Sequence, residues 1–496
     1  MSRVVVVGAG VGGLAAAARL AALGHDVTVC ESAPEVGGKL GLVTTDVGGA
    51  GTFRFDTGPS LLTMPQVFRD LFAETGGWPG DLEVERLDPI ARYRFADGSG
   101  FDARDGLDAL CAELDRALGA GSGEDWRGFH ARAERIWAAS SGPFLESPLD
   151  GPRTLARLAV RHPRDLAVIA PGRSLRALGR THLRDPRLRT FLDRYATYTG
   201  SDPRRAPAAL AAVPYAEQAF GGWYVRGGLT RLGDAVRDRA VERGAAVRLG
   251  SRVTRITTAA GRVDGVLLDG GERLAADVVV ANADAAQVYG SLVHAPSAAR
   301  RLARATPSLS GFVLLLAVAG RTPGIAHHNV LFPADYDAEM DAVFGDPGRP
   351  PYDATLYASV PDDPAVRPDG HEAWFVLVNA PRHGSGPGAV DWRAPGLAAS
   401  YADRLLDLLA ERGLPVRERV LWAQAMTPAD LEERTGAVGG AIYGTSSNGV
   451  AAAFLRPVNR SPVPGLFLVG GSSHPGGGLP LVALSARIVA GLVGPA

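Results

Sequence analysis

Cysteine is nearly absent. Cys30 and Cys111 are the only two in 496 residues, too few for a disulfide framework, and they set the expectation of a reducing, cytoplasmic setting. Charge imbalance is absent too. Lys and Arg together number 52, Asp and Glu 53, for a net charge of −1, so no global field recruits nucleic acid. No uninterrupted apolar run reaches the roughly 18 residues of a membrane-spanning helix. The ten histidines are scattered, and the side chains of the adjacent pair His327-His328 need not converge, so no metal is expected. There is no Gly-x-Ser-x-Gly elbow, no P-loop and no repeat of roughly 20–50 residues. What the chain has is apolar bulk (46% hydrophobic) and 63 glycines spread along its length. That is enough for a large core and two or three domains.

The densest signal lies in the first 39 residues. The β-branched run Val4–Val7 leads into Gly8-Ala9-Gly10-Val11-Gly12-Gly13, then an Ala/Leu helix pattern stopped by Gly24, then a strand from Asp26 to Cys30 ending in Glu31. Gly8 permits a tight turn, Gly10 lets backbone approach a pyrophosphate, and Gly13 lets helix and strand pack closely. Glu31 is placed to bond a ribose hydroxyl. A strand before the glycines, a helix after them and an acid at this distance together mark a dinucleotide site. They do not by themselves separate FAD from NAD. Arg3 and the apolar stretch to residue 23 imitate a signal peptide, but the glycines hold motif positions and assign the segment to the fold.

The expected fold class is α/β. It has a discontinuous Rossmann-like nucleotide-binding domain (1–72, 223–290 and 456–496), a mixed α/β substrate domain (73–105 and 291–455) and a helical cap (106–222). Asp97-Gly98 reads as a hairpin turn between strands near Ala91–Phe95 and Gly100–Ala103. Nucleotide-domain signals return at Trp223–Gly228, followed by a helix to Arg243 and strands at Ala246–Leu249, Arg252–Ile256 and Asp277–Ala281. Further strands are expected at Gly311–Ala319, Ala373–Asn379 and Arg419–Ala423, with a helix at Leu397–Arg412. Ser60 reads as a helix cap, with helical spacing through Leu61, Val67 and Leu71.

Several segments carry a resemblance. Pro34-Glu35-Val36-Gly37-Gly38-Lys39 and Phe55-Asp56-Thr57-Gly58-Pro59-Ser60 resemble the FAD-dependent amine oxidase and phytoene desaturase superfamily. So does Ser472-Ser473-His474-Pro475-Gly476-Gly477-Gly478-Leu479-Pro480-Leu481-Val482, which follows the buried-strand run Gly465–Gly471. Tyr195–Tyr198, Gly200, Pro207-Ala208, Gly222-Trp223 and Gly440–Gly444 extend the likeness toward the carotenoid desaturases, in wording closest to the hydroxyneurosporene desaturase branch and its actinobacterial relatives. The resemblance spans the whole chain and implies FAD as cofactor. It places Gly8, Gly10, Gly12, Gly13 and Glu31 on the dinucleotide, and Gly38 and Lys39 on its pyrophosphate side. It sets Gly58, Pro59 and Ser60 near the ring system, and Val253 against the adenine through its backbone. Gly470, Gly471, Pro480, Leu481 and Val482 then close the flavin site, where a helix N-terminus faces charge that gathers on reduction.

The implied activity is desaturation of a carotenoid or similar lipophilic polyene, in which a flavin takes hydride at N5 and a proton leaves separately. His474 is the candidate to shape charge beside the flavin, or else to hold its loop. Asp56 and Glu217 are weaker acid–base candidates; Asp56 also reads as a loop-fixing acceptor and Glu217 as solvent-facing. The alternatives on the same fold are a carotenoid isomerase, a ketolase or an amine oxidase, whose nitrogen cage Trp223 and Tyr443 would supply. A non-enzymatic alternative is a prenyl-protein binding module like the Rab GDP dissociation inhibitors, which the intact glycine set opposes. Residues 151–180 hold seven arginines against Asp165, interleaved with apolar residues. They read either as a peripheral membrane contact on the inner face or as a solvated arginine face over a core stripe. Oligomeric state stays open.

Overall fold

The computed structural model describes residues 1–149, 163–449 and 452–496. Its organising element is a five-stranded, all-parallel sheet. The order is Leu466–Leu468, Val278–Ala281, Arg3–Val7, Asp26–Cys30 and Ala246–Arg248. Burial on both faces is what a central parallel strand demands, and the valine run supplies it. Val4 and Val6 face a helical layer, while Val5 and Val7 face a three-stranded antiparallel sheet (Val253–Ala259, Arg262–Leu268, Arg273–Ala275). The helix Val11–Ala22 is buried over eleven of its residues, nearly all Gly, Ala or Leu. Small side chains let it lie between the helices Thr230–Glu242 and Leu479–Val493. The architecture is thus a Rossmann-like α/β unit assembled from separate stretches of the chain.

A seven-stranded mixed sheet forms the second body. Ser310–Ala319 sits between Val420–Met426 and His371–Ala380, and Leu356–Ser359, His328–Leu331, Ala91–Arg94 and Gly100–Ala103 continue the order. The helix Leu397–Glu411 covers one face. Phe53 and Phe55 cover the other, from a ribbon of Leu42–Asp46 and Thr52–Asp56. A helical layer contributed by residues 107–141 and 163–220 packs around Trp126, Phe191 and Tyr93.

One local expectation is corrected. Ser60 caps no helix. The next helix is Gln66–Thr75 with Pro65 at its start, because proline's fixed φ and missing N–H suit a first turn. Leu61 and Leu62 lie outside that helix, and Leu62 exchanges two backbone hydrogen bonds with Trp223. The Trp223–Val225 strand pairs with Val84–Arg86, and Val225 packs in the same core as Val4 and Val6.

Of the basic segment 151–180, residues 151–162 lie outside the described residues. Beyond them, Leu175 and Leu178 are buried in the helical core. Arg176 is ion-paired to Asp193 and Asp337, and Arg173 donates to the Ala177 carbonyl. Arg164 and Arg180 are exposed. Among the described residues, no helix is long and apolar enough to cross a membrane.

Candidate functional site

The glycine turn sits at the carboxyl end of the central strand, where the parallel sheet opens. Gly8 has φ +96° and donates to the Cys30 carbonyl at 2.8 Å. A Cβ on Gly13 would overlap the Gly8 carbonyl, so Gly13 is required by the fold itself. Glu31 Oε2 accepts the Ala9 N–H at 2.7 Å, and Oε1 accepts from Ala33 N at 2.8 Å. The carboxylate is therefore fixed beside the turn. Gly250 N and Ser251 N donate to the Ala33 and Glu31 carbonyls at 3.0 and 2.7 Å. They bring Val253, at the start of its strand, to the same rim.

Gly37 to Lys39 close over the turn. Gly37 N donates to the Ala9 carbonyl at 2.9 Å. A Cβ on Gly58 would overlap the Lys39 carbonyl. Lys39 is the only lysine in the chain. Its ammonium donates to the Ala441 and Ile442 carbonyls at 2.8 and 2.5 Å. Burial pulls its pKa down to about 8, with Asp284 opposing.

The C-terminal loop meets this cradle from the other side. Gly470 has φ +102° and takes a bond from its N–H to Ser485 Oγ at 3.3 Å. The helix behind it starts at Leu479, so Pro480, Leu481 and Val482 make its first turn. The Val482 N–H already closes the first helical bond, on the Gly478 carbonyl at 3.0 Å, and Pro480 has none; the Leu479 and Leu481 N–H groups have no intrahelical acceptor and are the ones open to an anion.

Asn282 was not singled out from the sequence, yet both loops converge on it. A Cβ on Gly10 would lie 2.7 Å from its Nδ2, and one on Gly470 would lie 2.6 Å from its Oδ1. Its amide occupies the meeting point of the glycines, with Nδ2 on the Gly8 carbonyl at 3.3 Å. Arg456 was missed as well. It donates to the carbonyls of Tyr443, Gly471 and Thr445 at 3.1, 3.0 and 2.6 Å and ties two loops together. The only sequence signal for either was position: an Asn closing a buried strand, and a basic residue ten positions before the last strand.

The acid–base candidates resolve by their partners. His474 is 4% exposed, and its Nε2 lies 2.9 Å from the Ser147 carbonyl. A carbonyl only accepts, so Nε2 carries the hydrogen. Burial pulls this imidazole down to about 4, so the ring is a neutral tie between the flavin-type loop and the helical layer. Asp56 accepts from Leu229 N at 2.7 Å and Thr230 N at 3.1 Å, at the start of the helix Thr230–Glu242. It satisfies two orphan donors. Asp56→Ala is therefore expected to lower stability by about 2 kcal/mol, readable as a shift in the urea midpoint. Glu217 does not face solvent: it is 3% exposed, accepts from the Tyr195 hydroxyl at 2.6 Å, and burial raises its pKa. Trp223 lies under Arg69 and Arg86, at 5.9 and 5.5 Å from its ring centroid, so it cannot cage an ammonium with Tyr443.

A polar and aromatic cluster adjoins Ser60. Ser60 Oγ lies 2.6 Å from the Tyr357 hydroxyl, which lies 2.9 Å from His328 Nδ1. The His327 and His328 rings do converge, with centroids 4.5 Å apart. Burial pulls His327 down to about 4 and His328 well below its usual value, so both are neutral. Tyr443 packs on the C-terminal loop, 2.5 Å from where a Gly477 Cβ would stand. A cavity of about 530 Å³ lies elsewhere, around Arg92–Phe95 and Arg412 at the far end of the seven-stranded sheet, remote from the glycine loops.

The cradle fits a dinucleotide: bare glycine backbone on two facing loops, a fixed carboxylate at the ribose distance, and a helix start aimed inward. Comparison with known proteins agrees. Hydroxyneurosporene desaturase of Cereibacter sphaeroides is 36% identical over 490 residues, covering 98% of this chain and 96% of that protein. The 4,4'-diapolycopene oxygenase of a Methylomonas species is 34% identical over 98% of this chain and 97% of its own. The fold matches cyclohexylamine oxidase from Brevibacterium oxydans with a TM-score of 0.63 at 16% identity, over 99% of this chain and 98% of that one. The model for flavin containing amine oxidoreductases matches residues 11–494. The chain belongs to that family and is an FAD-dependent oxidoreductase.

Proposed function

We propose that this enzyme desaturates a carotenoid or similar long polyene, with Gly8, Gly10, Gly12, Gly13, Glu31, Gly38, Lys39, Gly58, Pro59, Ser60, Val253 and the Gly470–Val482 loop holding FAD. Bound FAD supplies the two-electron acceptor: of two hydrogens taken from adjacent carbons, one leaves as hydride and one as a proton. The protein's part is to bind, orient and exclude water. Lys39 and Arg456 tie the 441–445 segment to the cradle, and His474 ties the C-terminal loop to the helical layer.

The observation that carries this reading is the character of the space beside Ser60 and Gly477. Tyr357 is bonded to Ser60, Tyr443 packs at Gly477, Arg194 stands over Tyr198 and Tyr357, the nearby imidazoles are neutral, and the one carboxyl of the cluster among the described residues, Glu217, is held by Tyr195 with burial raising its pKa. Aromatic walls suit a conjugated chain. A buried cation repels an ammonium, which disfavours an amine substrate on this fold. The sequence likeness to hydroxyneurosporene desaturase supports the same side. We also infer that a water-insoluble polyene reaches the site from a lipid surface, by peripheral contact of the 151–180 segment.

The test is an anaerobic spectrum of FAD-reconstituted enzyme before and after adding liposomes loaded with a panel of polyenes. Bleaching of the flavin band with a red-shifted polyene product is the expected result. Oxidised flavin that no polyene reduces would overturn the desaturase reading and leave fold and cofactor in place.

A further inference from the structure

Three consecutive residues of the helix Pro186–Thr197 are buried and polar: Asp193, Arg194 and Tyr195. Two have partners. Asp193 takes the Arg176 guanidinium at 2.7 Å, and Tyr195 donates to Glu217 at 2.6 Å. Arg194 is 8% exposed, and among the described residues no carboxylate lies within ion-pair distance of it. Its Nε has no hydrogen-bond partner. Its company is aromatic: the guanidinium stands over Tyr198 at 5.0 Å and Tyr357 at 5.6 Å. Glu217 is the acid whose charge it influences, and that carboxyl is already engaged by Tyr195.

An arginine does not lose its proton in a protein, and it has donors only. Burying one without a carboxylate is costly, and ring faces offset only part of that cost. The natural complement is an acceptor oxygen brought by a ligand. Location narrows the ligand. Tyr357, under the guanidinium, is hydrogen-bonded to Ser60. Tyr443, which packs against the C-terminal loop at Gly477, has its acidity altered by both Tyr198 and Arg194. The cation thus lies behind two tyrosines that touch both segments assigned to the flavin ring.

Resting on the desaturase reading, we propose that Arg194, with Tyr198, is the recognition site for an oxygen carried by the polyene near the bond it loses hydrogen from. A hydroxyl, a carbonyl or a carboxylate shares the required chemistry. A pure hydrocarbon leaves the guanidinium with its tyrosine neighbours alone and its Nε unsatisfied, and binds less tightly.

The test is equilibrium binding to the FAD-loaded enzyme under anaerobic conditions, followed by quenching of tryptophan emission. The probes are polyenes of one length ending in a hydrocarbon, a tertiary alcohol, a ketone or a carboxylate. Wild type is expected to bind at least one oxygenated probe about tenfold or more tighter than the hydrocarbon, the span of one hydrogen bond to a charged group. The tightest probe identifies the oxygen. In Arg194→Met the preference is expected to vanish, with flavin content and flavin potential unchanged. Arg194→Lys keeps the charge and is expected to retain part of the preference, which serves if the methionine variant does not fold. Equal binding of all probes by wild type overturns the proposal while sparing the desaturase reading. A shifted flavin potential with the preference intact also overturns it, by assigning the cation to the cofactor. Failure of wild type to bind any polyene overturns the desaturase reading itself.

Discussion

Gly10→Val is expected to give a folded, colourless protein. Gly10 has φ −68° and ψ 166°, an extended conformation open to any residue, so the backbone tolerates valine. The nearest obstacle to a Cβ is the Asn282 amide at 2.7 Å, a side-chain group that must shift from its place between the two glycine loops. What the valine occupies is the approach to the helix that begins at Val11, where the pyrophosphate meets bare backbone. Losing two charge-assisted hydrogen bonds there costs about 4 kcal/mol, or roughly 1000-fold in affinity. Titration of the apoprotein with FAD checks the loss, and far-ultraviolet dichroism checks that the fold survives. Gly13→Val makes the contrast: its Cβ overlaps the Gly8 carbonyl, so it is expected to fail at folding. Full flavin occupancy in Gly10→Val would show that the motif does not face the cofactor.

That contrast also explains what could be read from the sequence. The Gly8–Gly13 turn, its strands and Glu31 depend on neighbours within about thirty residues, so their spacing reveals them. The valine run fixed a buried parallel strand for the same reason. Residues whose partners lie far along the chain gave no such sign. Ser60 looked like a helix cap because Ser often is one; its partner Tyr357 lies 297 residues away. Glu217 looked solvated because the period of a helix does not say which acid turns inward. Asn282 and Arg456 matter only once two distant loops meet. The ribbon Leu42–Asp46 and Thr52–Asp56 was missed, although Phe53 and Phe55 alternate with polar neighbours and are buried while their neighbours are not, the period of a half-covered strand.

Acid should expose the role of His474. In the folded chain its pKa is about 4, whereas in the unfolded chain it sits near the ordinary value of about 6.5. Between those two values the unfolded state binds more protons, so this residue's contribution to stability falls as pH drops through the window and is level above it. A shift of this size is worth about 3 kcal/mol when complete. Other buried groups act in the same range. His327 is also held at about 4 and adds to the loss, while Asp193, raised to about 6 by burial, opposes it. The net curve therefore mixes signs, and a difference measurement isolates one residue. His474→Gln keeps an N–H to offer the Ser147 carbonyl and removes the titration. Its urea midpoint is expected to gain on wild type as pH falls from 7 to 4, by up to about 3 kcal/mol. The two should run parallel from pH 7 to 9. A neutral ring also means that the pH dependence of turnover shows no step belonging to His474 near neutrality. A step near pH 6.5 that disappears in His474→Gln, with parallel stability curves, would instead make the imidazole a working acid or base beside the flavin.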